Sequence, residues 1–111
     1  MPPIWIMRQA GRILKPYRDL RQRHGSLLKL FKTPELAAEI TLMPVDLLGV
    51  DAAILFTDLV TPLEALGCEL TYAPGPVFAR PIRSAADING LRNPVPADDL
   101  AYVLEAARLV R

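Results

Sequence analysis

The stretch Val50-Asp51-Ala52-Ala53-Ile54-Leu55-Phe56 constrains the fold of this chain most strongly. It is a continuous apolar run with one internal acid, Asp51, the pattern of a parallel β-strand buried on both faces. Helical patterns precede it. Leu14, Tyr17 and Leu20/Arg21 recur at helical spacing within an amphipathic, basic segment from Ile13 to Arg23, which places Arg21 near Tyr17 on one face and ends at His24-Gly25-Ser26. Leu27 to Phe31 reads as a short apolar helix. Thr33 then stands as an N-cap, with Pro34 at the first helical position and Glu35 in the first turn. Leu36, Ala37, Ile40 and Met43 form the buried stripe of that helix, Pro44 is expected to kink or restart it, and Gly49 to end it.

At the C-terminal end of the apolar run come Thr57, Asp58 and Leu59. An aspartate there serves either as a cap for a following helix, Leu59 to Leu66 with Gly67 as its C-cap, or as a chemical group at the end of a strand. Position alone weighs the two about evenly. Further on, Glu69–Tyr72 and Val77–Phe78 flank Ala73-Pro74-Gly75-Pro76, a turn-forming run that predicts a hairpin. Ser84 and Asp87 form a capping-box pair for a helix through Leu91, and Asn93-Pro94 to Asp98 link it to the last element. There, Leu100, Val103, Leu104 and Ala107 make an i, i+3, i+4, i+7 stripe, and Arg111 arrives without a C-terminal cap signal, as in a chain cut short.

The chemistry-bearing stretch is Pro3-Ile4-Trp5-Ile6-Met7-Arg8-Gln9-Ala10-Gly11-Arg12. Pro2 to Met7 reads as an extended segment that delivers Arg8. A guanidinium offers five donors in a planar fork matched to carboxylate or phosphate, so Arg8 and Arg12 describe a site for a molecule with several anionic groups. Ala10 and Gly11 between them are small enough for backbone N–H groups to approach a ligand. The plainer reading is two arginines in a solvated loop, with Ile4 to Met7 filling core.

Composition narrows the classes. With 51% hydrophobic and 23% charged residues the chain is an ordinary globular one, and 111 residues allow a single domain, 1–111. One cysteine, Cys68, excludes an internal disulfide. With one histidine, His24, it makes a zinc site from this chain improbable, so metal ligands and cofactors are expected to be none. A reducing cytoplasm fits, and neither a secretion signal nor a membrane span is visible. Residues 1–32 carry eight Lys/Arg against one acid, yet that basic segment is half apolar, unlike a nucleic-acid arm.

The string Pro-x-Trp-x-Met-Arg-Gln-Ala-Gly-Arg resembles, at every specified position, the N-terminal signature of the uroporphyrinogen decarboxylase family. The likeness continues through Thr33–Glu39, Val50–Asp58, Glu64–Gly67, Gly75–Phe78 and Tyr102–Ala106, and so covers essentially the whole chain but only about the first third of the family's usual length. The chain departs from the usual Gly-Arg-Tyr-Leu-Pro-Glu-Tyr, with Ile13 for the Tyr, Lys15 for the Pro and Pro16 for the Glu. The resemblance implies the N-terminal portion of a (β/α)8 TIM barrel, incomplete in this chain because such a barrel needs roughly 250 residues. Val50–Phe56 would be its first strand. Uncovered strand edges and apolar faces would then leave the isolated chain poorly soluble or partner-dependent.

The implied activity is removal of carboxylates from the acetate arms of uroporphyrinogen III to give coproporphyrinogen III, in the cytoplasm, without a cofactor, by an enzyme that is a homodimer when complete and has no nucleic-acid or membrane partner. The implied substrate contacts are Arg8, Gln9, Ala10, Gly11, Arg12, Arg21, Ile54, Phe56 and Asp58. Asp58 and Arg8 take the catalytic roles, Asp58 facing the pyrrole N–H groups. The family's later Tyr, Ser and His fall outside this sequence. Two other readings stand beside this one: a non-catalytic or partner-dependent product, and a related zinc-dependent methyltransferase barrel.

Overall fold

The structure is a computed structural model that describes residues 1–111. It divides into two compact units, one of Met1–Thr57 with Tyr102–Arg111 and one of Asp58–Ala101.

The first unit is built on three consecutive helices, α1 (Lys15–His24), α2 (Leu27–Lys32) and α3 (Pro34–Leu48). The displaced Pro16 lies in the first turn of α1, where the missing N–H has no helical partner to lose. Gly25 ends that helix with φ 72°, and Gly49 closes α3 in the left-handed conformation, with its N–H on the Val45 carbonyl. Leu14, Tyr17 and Leu20 from the α1 stripe meet Leu30, Ile40 and Met43 in one core, and Ala10, Leu36 and Phe56 pack against it. Pro44 is buried inside α3 and does not interrupt it, so the expected restart is absent. Thr33 occupies the N-cap position but does not cap. Its hydroxyl donates to the Lys29 carbonyl at 2.7 Å, closing the end of α2 instead.

Val50–Phe56 forms no strand. A strand exists only through a partner's ladder, and no parallel neighbour is present in this chain. Side chains hold the segment instead. Asp51 N–H donates to the Ile4 carbonyl at 2.7 Å and the Asp51 carboxylate accepts the Ile4 N–H at 2.8 Å. At the far end, the Phe56 N–H donates to Thr41 Oγ1 at 2.9 Å, while that hydroxyl donates to the Ala37 carbonyl within α3. The expected burial on both faces is likewise missing: Val50 is buried, but Ala53 and Ile54 are exposed.

The last helix, α7 (Ala101–Val110), is rotated from the expected stripe. Ala106 is buried and Tyr102, Val103 and Val110 are half-buried, whereas Leu104 and Ala107 face solvent. Glu105 and Arg108 pair on one face and the buried residues lie on the other, so the helix is oriented by its polar face rather than by the stripe counted from Leu100.

The second unit contains α4 (Thr61–Ala65), an antiparallel hairpin of β1 (Leu70–Tyr72) and β2 (Pro76–Phe78), α5 (Ala85–Asn89) and α6 (Pro96–Asp99). The hairpin register pairs Leu70 with Phe78, Thr71 with Val77 and Tyr72 with Pro76. Only Thr61, Ala65 and Leu70 are buried in this unit, so polar contacts carry much of its order. Arg92 pairs with Asp99, and its backbone N–H donates to the Leu66 carbonyl at 2.8 Å. The capping box of α5 forms as expected. Ser84 Oγ accepts the Asp87 N–H, and Asp87 Oδ2 accepts the Ser84 hydroxyl at 2.7 Å, the Ser84 N–H at 2.8 Å and the Arg83 N–H at 3.0 Å.

These donors, the Ser84 hydroxyl foremost, hold the Asp87 carboxyl below its ordinary value of 3.8. A carboxylate with a lowered folded value contributes stability above its unfolded pKa and loses it as pH falls through the folded one. Protection of the Arg83 and Ser84 amides from hydrogen exchange is therefore expected to be complete at neutral pH and to fall on acidification below 3.8. In Asp87→Asn the same exchange measurement should show no such acid step.

Candidate active site

Residues 8–12 form a loop that reverses direction twice over a short distance. Arg8 has φ 59° and Gly11 has φ 156°. Gly11 is the residue type that adopts such an angle without a Cβ penalty. Arg8 is not, and a side chain held in the left-handed region costs about 1–2 kcal/mol. Turn bonds frame the loop, from the Gln9 N–H to the Ile6 carbonyl and from the Leu14 N–H to the Gly11 carbonyl, both 3.0 Å.

Gln9 fixes the loop. Its side chain is 1% exposed, accepting the Ile6 N–H on Oε1 at 3.0 Å and donating through Nε2 to the Ala52 carbonyl at 2.8 Å. The amide thus ties the arginine loop to the extended segment. With Gln9 turned inward, Arg8 and Arg12 on either side are exposed. Neither guanidinium is engaged by a carboxylate or a carbonyl of the chain. The backbone carbonyl of Arg12 does have a partner, Arg18 Nη1 at 2.7 Å, which also reaches the Ile13 carbonyl at 3.1 Å. Arg18 is therefore a structural arginine that closes the loop onto α1.

Arg21 follows Tyr17 by one helical turn, on the core-facing side of α1, and is half-buried. Its Nη1 is buried and has no hydrogen-bond partner. A buried, unpaired guanidinium N–H is costly, and pairing with an anion removes the cost.

The remaining sequence candidates separate by role. The Phe56 ring turns inward, edge-on to Tyr17 at a centroid distance of 5.7 Å and tilted against Phe31 at 4.8 Å. Both ends of the Gln9 side-chain amide are engaged by the protein, so any part Gln9 plays at the loop surface falls to its backbone. Ala10 is half-buried against the core. Ile54 is exposed at 41%.

Asp58 begins the second unit. It is not the cap of the next helix. That helix starts at Thr61, Val60 occupies the N-cap position, and no side chain caps it. The Val60 N–H lies 3.5 Å from Asp58 Oδ1, too long for a strong bond. The Asp58 backbone is pinned instead, its N–H on Thr61 Oγ1 at 3.3 Å and its carbonyl accepting the Thr61 N–H at 3.1 Å. Its carboxylate accepts the hydroxyl of Tyr72 at 2.9 Å. Tyr72 is the residue that sequence reasoning missed; the hairpin prediction placed it on β1, but only a tertiary contact joins it to Asp58. Of the residues set aside, His24 closes α1 and Cys68 is half-buried in a cleft of about 400 Å³ beside the hairpin and α5.

The first unit thus carries a loop whose arginine forks are free of carboxylate partners, and the second an aspartate anchored to Thr61 and Tyr72. Residues 1–111 match the family described as Uroporphyrinogen decarboxylase (URO-D), and the chain belongs to that family. It is 57% identical over 109 residues to the uroporphyrinogen decarboxylase of Trichlorobacter lovleyi, 57% to that of Syntrophotalea carbinolica and 55% to that of Citrifermentans bemidjiense. Each comparison covers 98% of this chain and 32% of the relative, so the chain spans about a third of the length of the curated relatives it matches.

Gln9→Leu keeps the volume and leaves the Ile6 N–H and the Ala52 carbonyl unpaired. At about 1–3 kcal/mol for each of the two orphaned groups, the variant is expected to lose roughly 2–6 kcal/mol of unfolding free energy in a urea titration. A loss below about 0.5 kcal/mol would mean that the clamp is dispensable.

Proposed function

We propose that this chain supplies the N-terminal barrel portion of a uroporphyrinogen decarboxylase, the part that grips the acetate and propionate carboxylates of the tetrapyrrole and presents Asp58 to its pyrrole N–H groups. The observation that carries the reading is the pair of exposed guanidinia, Arg8 and Arg12, that no carboxylate or carbonyl of the chain engages, on a loop fixed by the buried Gln9 amide. Donors left unpaired by the fold are matched by a substrate rich in carboxylates.

The chemistry follows from the substrate. Protonation of a pyrrole carbon gives a cationic ring; the bond from the acetate methylene to its carboxylate then breaks, carbon dioxide leaves, and the electron pair neutralises the ring. Protonation of the resulting exocyclic methylene, with loss of the proton first placed on the ring carbon, restores the pyrrole and gives the methyl product. Asp58, accepting pyrrole N–H bonds, stabilises the cation by a charge that is already in place. Arg8 orients a substrate carboxylic acid or a water for proton delivery, because a guanidinium itself is too weak an acid to give up its proton. Gly11 and the Gln9 and Ala10 backbone shape the loop, Ile54 offers an apolar contact, and Phe56 and the Gln9 amide act from behind by holding the segment that leads to Asp58.

Completion by the rest of a barrel is favoured by the exposed run Ile4, Trp5, Ile6 and Met7, with Trp5 50% and Met7 73% accessible. Val50–Phe56 becomes a strand when parallel neighbours are supplied. A homodimer and a cytoplasmic site belong to the same proposal; no helix is long and apolar enough to cross a membrane.

The test uses an enzyme of full family length in which residues 1–111 replace the matching third of the Trichlorobacter lovleyi relative. Arg8→Ala and Arg12→Ala are expected to lower kcat/KM by about 10–100-fold, with partial recovery by lysine, while Arg23→Ala stays within about twofold. Asp58→Asn should fold normally and turn over on the order of a hundredfold more slowly. Equal small losses at all four positions would reject the site, and decarboxylation by the 111-residue chain alone would reject the need for completion.

A further inference from the structure

The Asp58 carboxylate is held from two sides within the second unit. Its backbone is fixed by the reciprocal bonds to Thr61 at the first turn of α4, and its Oδ2 accepts the Tyr72 hydroxyl at 2.9 Å from strand β1 of the hairpin. The two residues are 14 positions apart, and both are half-buried. We propose that Tyr72 is a positioning residue for the decarboxylation: its hydroxyl fixes the rotamer of Asp58 and so sets where the carboxylate meets the pyrrole N–H groups. This rests on the reading of Asp58 given above and adds to it a residue and a structural element, the hairpin.

The geometry supports orientation rather than mere attachment. A carboxylate offers about four acceptor positions. Tyr72 uses one, on Oδ2, and the Val60 N–H at 3.5 Å makes no strong claim on Oδ1, so acceptor capacity remains for the substrate. A hydrogen bond to an ionised group is short and directional, and it restricts a side chain that otherwise rotates about two torsions. The strand supplies rigidity: Tyr72 pairs with Pro76 in the hairpin register, and Leu70, two residues earlier on the same face of β1, is buried. An aspartate anchored this way meets the developing positive charge without reorienting, which is where such a contact contributes to rate rather than to binding.

A structural role for the hydroxyl and a positioning role differ in what Tyr72→Phe does once Asp58 has been changed. In the full-length enzyme carrying residues 1–111, a cycle of Tyr72→Phe, Asp58→Asn and the double variant is measured for kcat, KM and thermal unfolding. Tyr72→Phe is expected to lower kcat by about tenfold with KM changed by less than about twofold, and to have under about a twofold effect in the Asp58→Asn background. Full activity of Tyr72→Phe, or an equal loss in both backgrounds, would overturn the proposal while leaving the role of Asp58 intact if Asp58→Asn itself is slow. A fully active Asp58→Asn enzyme would instead remove the reading of Asp58, and the proposal with it. The same cycle on the thermal midpoint of the 111-residue chain tests the contact apart from turnover: non-additive shifts are expected, and additive ones would overturn the bond.

Discussion

The side-chain amide of Gln9 is the contact on which the rest of this structure depends. It satisfies a donor in the N-terminal segment and an acceptor in the 50–56 segment, two stretches that share a single backbone–backbone bond, from Asp51 to Ile4. With no ladder to hold them, their relative position is decided by side chains: Gln9 and Asp51 at one end, Thr41 at the other. Burying an amide this completely is favourable only when each end is paired, so the contact tolerates little displacement. The arginines flanking Gln9 inherit that rigidity. Their forks project from a loop whose backbone turns are already bonded.

Elements coded by local signals were legible in the sequence. The proline at the start of α3, the glycines after α1 and α3, the Pro-Gly turn of the hairpin and the Ser84–Asp87 box each specify geometry through neighbours a few residues away. What was misread depended on distant partners. The apolar pattern of Val50–Phe56 is that of a buried strand, but pairing is a property of two segments, and the second is not in the chain. The Thr33 hydroxyl had two helices within reach and bonded to the preceding one. Helix α7 displayed a clear period, but its core-facing side lies opposite the Glu105–Arg108 pair and not along the stripe counted from Leu100. In the candidate site, the choice of Arg8 and Arg12 was legible from the signature, and that of Asp58 from the likeness that continues through Val50–Asp58. The inward turn of Gln9 and Phe56 was not, since a motif records which residues occur together and carries nothing about which way they point.

Asp58 illustrates how structure separates two roles that position leaves equal. A capping aspartate would aim its oxygens at the free N–H groups of the next helix; this one aims an oxygen at a phenol on a hairpin. Helix α4 begins instead with Pro62 in its first turn, which lacks one of the donors a cap would have to satisfy. The carboxylate therefore keeps only the long 3.5 Å contact to the Val60 N–H at the start of that helix, and its stronger bond is to Tyr72.

The left-handed backbone of Arg8 has an implication for anyone redesigning this chain. Glycine is the residue that sits at φ 59° without penalty, so a procedure that scores sequences on folding free energy alone would write glycine at position 8 and regard the change as an improvement. Such a redesign would erase a fork of the loop while every bond around it survived. Position 8 is thus a place where optimising for thermal tolerance and keeping the guanidinium pull in opposite directions, and libraries built from this scaffold should hold it fixed.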